Sequence, residues 1–197
     1  MEGQQLIPAP QEKVWEALND PEILRQSIPG CETVEKSSDT EFRASLTAKF
    51  GPVKAKFKGH VTLSDLDPPN GYTLTGEGKG GAAGFGKGEA KVSLEEQDGQ
   101  TLLTYSVNAK VGGKLAQIGS RLVDSAAKKM ATDFFKAFSE NVAPSDQNTY
   151  SEETLSDANA PASTNLNATT PQEPSKNRLF YIGGTFVLVL LAVYILN

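Results

Sequence analysis

The sequence predicts an α+β domain in which a curved antiparallel sheet of about seven strands wraps around one long C-terminal helix. Three observations carry this. Apolar and polar residues alternate with a period of two from Cys31 to Val111, an apolar stripe at helical spacing follows Gly113, and the helices are segregated from the strands along the chain.

Gln4 to Ile7 is the first strand. Pro10 opens a helix, QEKVWEALND, whose Val14, Trp15 and Leu18 share one face. Asp20-Pro21 interrupts it, and a second short helix, PEILRQSI, runs to Pro29-Gly30. Helices this short hold only by packing on something larger. Between Glu41 and Leu66, Phe42, Ala44, Leu46, Ala48 and Phe50 face one way, with Arg43, Ser45, Thr47 and Lys49 opposite. After Gly51-Pro52 the parity resets: Val53, Ala55, Phe57, Gly59, Val61 and Leu63 face in and Lys54, Lys56, Lys58, His60 and Thr62 face out. This is a hairpin with one wet face. Pro68-Pro69-Asn70-Gly71 is a turn, Tyr72 to Gly78 a strand, and a glycine-rich bend leads to a strand carrying Ala90, Val92 and Leu94. Asp98-Gly99 turns the chain into a last strand with Leu103, Tyr105, Val107, Ala109 and Val111 inward. The spacing then predicts one helix over 114–141, with Leu115, Ile118, Leu122, Ala126, Met130, Phe134 and Phe138 on its apolar face.

Beyond about residue 143 the composition changes. Residues 144–178 are rich in Ser, Thr, Asn, Ala, Pro and acidic residues, so they bury too little apolar surface to offset ordering entropy and read as a disordered linker with a basic flank. Five carboxylates (Asp146, Glu152, Glu153, Asp157, Glu173) and two cations (Lys176, Arg178) fall there, leaving −2 of the total charge of −5 on residues 1–143. Residues 179–196, LFYIGGTFVLVLLAVYIL, hold 18 residues without a charge. As a helix they span roughly 27 Å, close to the hydrocarbon core of a bilayer. Leu179 and Phe180 open the segment, Leu196 closes it, and Tyr181 and Tyr194 stand where aromatic side chains favour the interface. The expectation is a single-pass anchor. Lys176 and Arg178 on its N-terminal side keep the folded domain on the cytoplasmic face of the cell inner membrane. The first ten residues lack the basic and apolar regions of a secretory signal, in agreement.

Composition excludes several classes of chemistry. The acidic balance argues against a nucleic-acid binder. One cysteine and one histidine leave no disulfide framework and no Cys/His metal cage. Gly76-Glu77-Gly78-Lys79-Gly80-Gly81 spells GxGxxG, but a strand follows where a dinucleotide site needs a helix N-terminus. Cys31 follows a loop and His60 lies on a polar strand face, so no dyad is expected. Glu89 and Glu95 alternate outward without an acid–base partner. Lys49, Lys54, Lys56 and Lys58 cluster on the outer face of one hairpin. They either keep an edge solvated or dock on anionic lipid or an acidic protein.

The inward residues are the remaining candidate site. Phe42, Leu46, Phe57, Val61, Leu74, Phe85, Val92, Tyr105 and Val107 face Leu115, Ile118, Leu122, Met130 and Phe134. Small neighbours such as Ala44, Gly59, Ala90, Gly119 and Ala126 leave room among them, and Tyr105 offers one hydroxyl. A solid core and an apolar ligand cavity both fit this pattern.

The order of elements, with Ile28-Pro29-Gly30-Cys31, the glycine-rich strand 76–88, the run GKLAQIGSRL at 113–122 and Phe134-Phe135, resembles the CoxG family of carbon monoxide dehydrogenase subunits, within the START/polyketide cyclase-like (SRPBCC) helix-grip superfamily. The resemblance implies a greasy ligand held between sheet and helix. It also implies a partner, the molybdenum-containing carbon monoxide dehydrogenase, coupled at the membrane to the quinone pool. The expectation is therefore a non-enzymatic, membrane-tethered adaptor with no covalently bound cofactor and a quinone or similar lipid as ligand. A cyclase/dehydratase-like enzyme on the same fold and a docking protein with a filled core are the alternatives.

Overall fold

The computed structural model describes residues 1–143. The expected linker at 144–178 and the expected anchor at 179–196, with Leu179, Phe180, Tyr181, Tyr194 and Leu196, lie outside the described residues. No helix among the described residues is long and apolar enough to cross a membrane.

Seven strands form one antiparallel sheet: β1 (Glu2–Ile7), β2 (Cys31–Lys36), β3 (Glu41–Phe50), β4 (Val53–Asp67), β5 (Gly71–Lys79), β6 (Phe85–Gln97) and β7 (Gln100–Gly112). Their order is β1-β7-β6-β5-β4-β3-β2, so only β1 and β2 are edges. Between β1 and β2 run α1 (Gln11–Ala17) and α2 (Pro21–Ser27). The Asp20 side chain caps α2 by accepting from the Glu22 and Ile23 amides at 2.7 and 3.3 Å. Trp15 of α1 meets Tyr72 of β5 edge-on, with ring centroids 5.4 Å apart. At its far end α2 is joined to the C-terminal helix by the Asn141 amide donating to Ser27 Oγ at 2.9 Å.

The β3–β4 hairpin has the expected register, from Glu41 opposite Thr62 to Phe50 opposite Val53. Two expectations fail. The segment after Gly113 is two helices, α3 (Lys114–Gln117) and α4 (Ser120–Val142), because Gly119 takes a left-handed conformation (φ +88°) that ends α3 and starts α4 on a new phase. The buried face of α4 is accordingly Val123, Ala127, Ala131, Phe134, Phe135, Phe138 and Val142. Leu122 is 48% exposed, while Met130 and Ile118 are only partly buried. Phe85 is also 48% exposed, sharing the outward parity of Lys87 and Glu89, while the inward positions beside it are Gly86 and Gly88. Cys31, expected directly after a loop, opens β2.

The remaining apolar residues form one continuous core beneath α4, centred on Phe42, Phe50, Leu74, Leu103, Leu115, Phe134 and Phe138, all essentially inaccessible. Inward glycines face one another across the middle strands: Gly59 opposite Gly78, Gly78 opposite Gly86, and Gly76 opposite Gly88. Strand glycines permit bends and close approach, here on the concave side that wraps α4.

Candidate functional site

The concave face brings together most of the residues expected to line a ligand cavity. Phe42, Leu46, Phe57, Val61, Leu74, Val92, Val107, Leu115 and Phe134 are buried in the core, with Tyr105 at its margin. Phe85 and Leu122 do not join them. Open space lies on both flanks of α4.

On one flank, a groove of about 740 Å³ runs between β1 and α4. Its floor is aromatic: Tyr105 of β7 and Phe135 of α4 stack with centroids 5.5 Å apart and planes 26° from parallel. Ala131 and Leu6 add apolar surface, and Gln4, Gln5, Lys128, Thr132, Lys136 and Glu140 form a polar rim. Gly3 lies directly opposite Tyr105 in the β1–β7 register. A Cβ at Gly3 would stand 2.3 Å from the tyrosine Oη, so this ring reaches the groove only because position 3 has no side chain. Partial burial pushes the Tyr105 phenol pKa up, which keeps it a neutral donor. Its hydroxyl takes part in none of the hydrogen bonds within the described residues.

On the other flank, a smaller groove of about 340 Å³ lies between α4 and the β3–β4 tip. Ala48, Leu122, Ala126 and Met130 make its apolar part and Lys49, Lys129 and Asp133 its charged part. Lys129 and Asp133 pair with each other at 2.8 Å. Leu122 and Met130, expected inside, therefore line this outer groove.

No cluster of metal-ligating residues occurs among the described residues. Cys31 and His60 stand on β2 and β4, two strands apart, with Cys31 opposite Leu46 and His60 opposite Arg43. Strand spacing separates them by roughly 14 Å, too far for a dyad. Desolvation pushes the Cys31 thiol up to about 11, away from the thiolate that nucleophilic work requires. The GxGxxG run lies within β5 and its following turn, and β6 succeeds it. The hairpin lysines stand on interior strands, so they guard no sheet edge. Of these four, Lys56 is paired with Glu32 of β2.

A sequence model of the CoxG family of carbon monoxide dehydrogenase subunits matches residues 3–143. The chain belongs to the CoxG family. A conserved protein from Geobacillus kaustophilus is 35% identical, covering 72% of this chain and 93% of its own, with a TM-score of 0.65. More remote structures share the fold. A START superfamily protein from Mycobacterium smegmatis is 14% identical with a TM-score of 0.56, covering 72% of this chain and 95% of its own. The Zhui aromatase/cyclase from Streptomyces sp. R1128 is 15% identical with a TM-score of 0.51, covering 72% and 92%. No curated protein matches significantly. CoxG membership and these neighbours establish the helix-grip, START-like architecture that the order of elements predicts.

The sequence missed the β1–α4 groove. Tyr105 was its one legible member; the Gly3 pairing that admits its ring to the groove is long-range and lies outside the strand read at Gln4–Ile7.

Proposed function

We propose that this CoxG domain is a non-enzymatic carrier that takes up a planar, lipid-borne ring in the β1–α4 groove and presents it to the molybdenum carbon monoxide dehydrogenase at the membrane. The observation that carries this reading is the aromatic floor of Tyr105 and Phe135 in a groove of about 740 Å³. That volume lies within the range of roughly 300–1,000 Å³ in which small-molecule sites fall. A flat ring stacks offset on such a floor. The Tyr105 hydroxyl donates to a ring carbonyl, which is the polar handle a quinone has and a hydrocarbon lacks. The family name supports the dehydrogenase as partner. The 18 uncharged residues at 179–196 support the membrane as the place of exchange.

An acid–base enzyme is less well supported. The groove places one phenol beside the ring position; its charged side chains, Glu2 of β1 and Lys128, Lys136 and Glu140 of α4, are all exposed, and the Met1 ammonium is held by the Val107 carbonyl. Native mass spectrometry of the full chain, purified from its membranes, tests the carrier reading. The expected result is co-purified isoprenoid quinone that is lost in Thr132→Trp, whose indole would occupy the groove from an exposed position. Quinone-free protein from membranes that contain quinone, or equal loading of the variant, would overturn it.

A further inference from the structure

Antiparallel pairing gathers the β3–β4 tip, the end of β5, the start of β6 and the end of β7 at one end of the sheet. On the outer face there, three lysine pairs stand directly opposite each other in register: Lys49 and Lys54, Lys58 and Lys79, Lys87 and Lys110. Like charges in directly opposed positions destabilise a sheet, and this one carries three such pairs on interior strands. The surrounding domain is not basic; residues 1–143 carry a net −2. In the midst of the lysines is Phe85, directly opposite Lys79 on β5 and two residues from Lys87. Its ring covers Gly112 of β7, where a Cβ would stand 2.4 Å from the ring, and half of the side chain faces solvent. Glu77, bound to Lys79 at 3.0 Å and directly opposite Lys87, and Glu32, bound to Lys56, are acidic groups set within this field.

We infer that this end of the outer sheet face docks the domain on an anionic lipid bilayer, with Phe85 at headgroup level and the lysine pairs over lipid phosphates. The inference rests on the membrane part of the reading above and is independent of the ligand. Charge complementarity and the residue types favour lipid over an acidic protein. All six paired cations are lysines, compact point charges suited to laterally mobile headgroups, and none is the planar guanidinium that fits a fixed carboxylate. An exposed aromatic ring set among lysines has the amphipathic character of an interfacial anchor. Leu122, the other exposed apolar side chain at this end, lines the smaller groove together with Gly51 of the β3–β4 tip.

The test uses the full chain in vesicles of phosphatidylcholine, alone or mixed with phosphatidylglycerol, with brominated acyl chains as quenchers. Phe85→Trp puts a reporter at the exposed site, and buried Trp15 serves as the internal reference. Because the apolar segment 179–196 would hold the chain on either vesicle, quenching at position 85 reports docking and retention does not. The expected result is quenching in mixed vesicles that disappears in phosphatidylcholine alone and at roughly 1 M salt, where the screening length is about 3 Å. Each lysine at an anionic surface shifts such an equilibrium about fivefold. The combined Lys54→Gln, Lys58→Gln, Lys110→Gln variant should therefore lower the docked-to-free ratio roughly a hundredfold. Equal quenching in both vesicle types, or none in mixed vesicles, would overturn the inference. So would a triple variant that stays quenched but no longer captures purified dehydrogenase, which would make the face a protein interface. Loss of quinone loading with docking intact would count against the carrier alone.

Discussion

Relieving the three lysine pairs should stabilise the fold while it weakens membrane contact. Lys54→Gln, Lys58→Gln and Lys110→Gln each remove one partner of a directly opposed pair and leave the Lys56–Glu32 and Lys79–Glu77 ion pairs intact. With the ammonium groups splayed to about 7 Å in water, each pair repels by about 0.6 kcal/mol before screening. At an ionic strength of about 0.01 M most of that survives, and at about 0.15 M less than half does. The three pairs then amount to about 1.4 kcal/mol at low salt, about 0.7 kcal/mol at physiological salt and almost nothing at 1 M. For a domain of this size, about 1.4 kcal/mol corresponds to a rise in Tm of roughly 4–6 °C. Scanning calorimetry of the full chain in non-ionic detergent at the three ionic strengths reads this directly. The triple variant should melt highest relative to the parent at low salt, and the gap should close by 1 M. A variant that melts at or below the parent at low salt, or a gap indifferent to salt, would refute the reasoning.

Cys31 should alkylate about a hundredfold more slowly at pH 8 than a thiol with the ordinary value of 9.0, because its pKa is pushed up to about 11. The rate should rise about tenfold per pH unit towards pH 11; a plateau near pH 9 would show an exposed, ordinary thiol. The raised thiol pKa also stabilises the fold below about pH 9, a contribution lost as pH climbs through about 11. Glu22, held down to about 2 by the Arg25 and Gln26 side chains, should titrate higher in Arg25→Ala and higher still when Gln26→Ala is added, as followed by its carboxyl NMR shift. Phe138→Ala, at a fully buried position against Phe134, should cost about 3–5 kcal/mol in denaturant unfolding. Gly3→Ala should displace the Tyr105 ring and weaken quinone binding more than it lowers Tm.

Much of the sheet was legible because alternation reports burial wherever both faces carry side chains, as in Phe42-Arg43-Ala44 and Val61-Thr62-Leu63. It failed at Phe85 because the inward positions beside it are Gly86 and Gly88, which leave no apolar residues to set the parity. The α4 stripe failed by one position for a related reason. Leu122 and Met130 outweigh Ala127 and Ala131 in hydrophobicity, but Gly119 turns the helix so that the alanines fit against the sheet. The groove joins β1, at one end of the chain, with α4 at the other, and local periodicity carries no trace of that contact. Gly3 opposite Tyr105 is a long-range pairing of the same kind.

Chemical-shift mapping on the full chain in micelles, titrated with a short-chain, water-soluble quinone, tests the central claim most directly. The account predicts saturable shifts concentrated at Gly3, Leu6, Tyr105, Thr132 and Phe135, and their loss in Thr132→Trp. Shifts confined to Leu122, Ala126 and Met130 on the opposite flank, or none at saturating quinone, would contradict it.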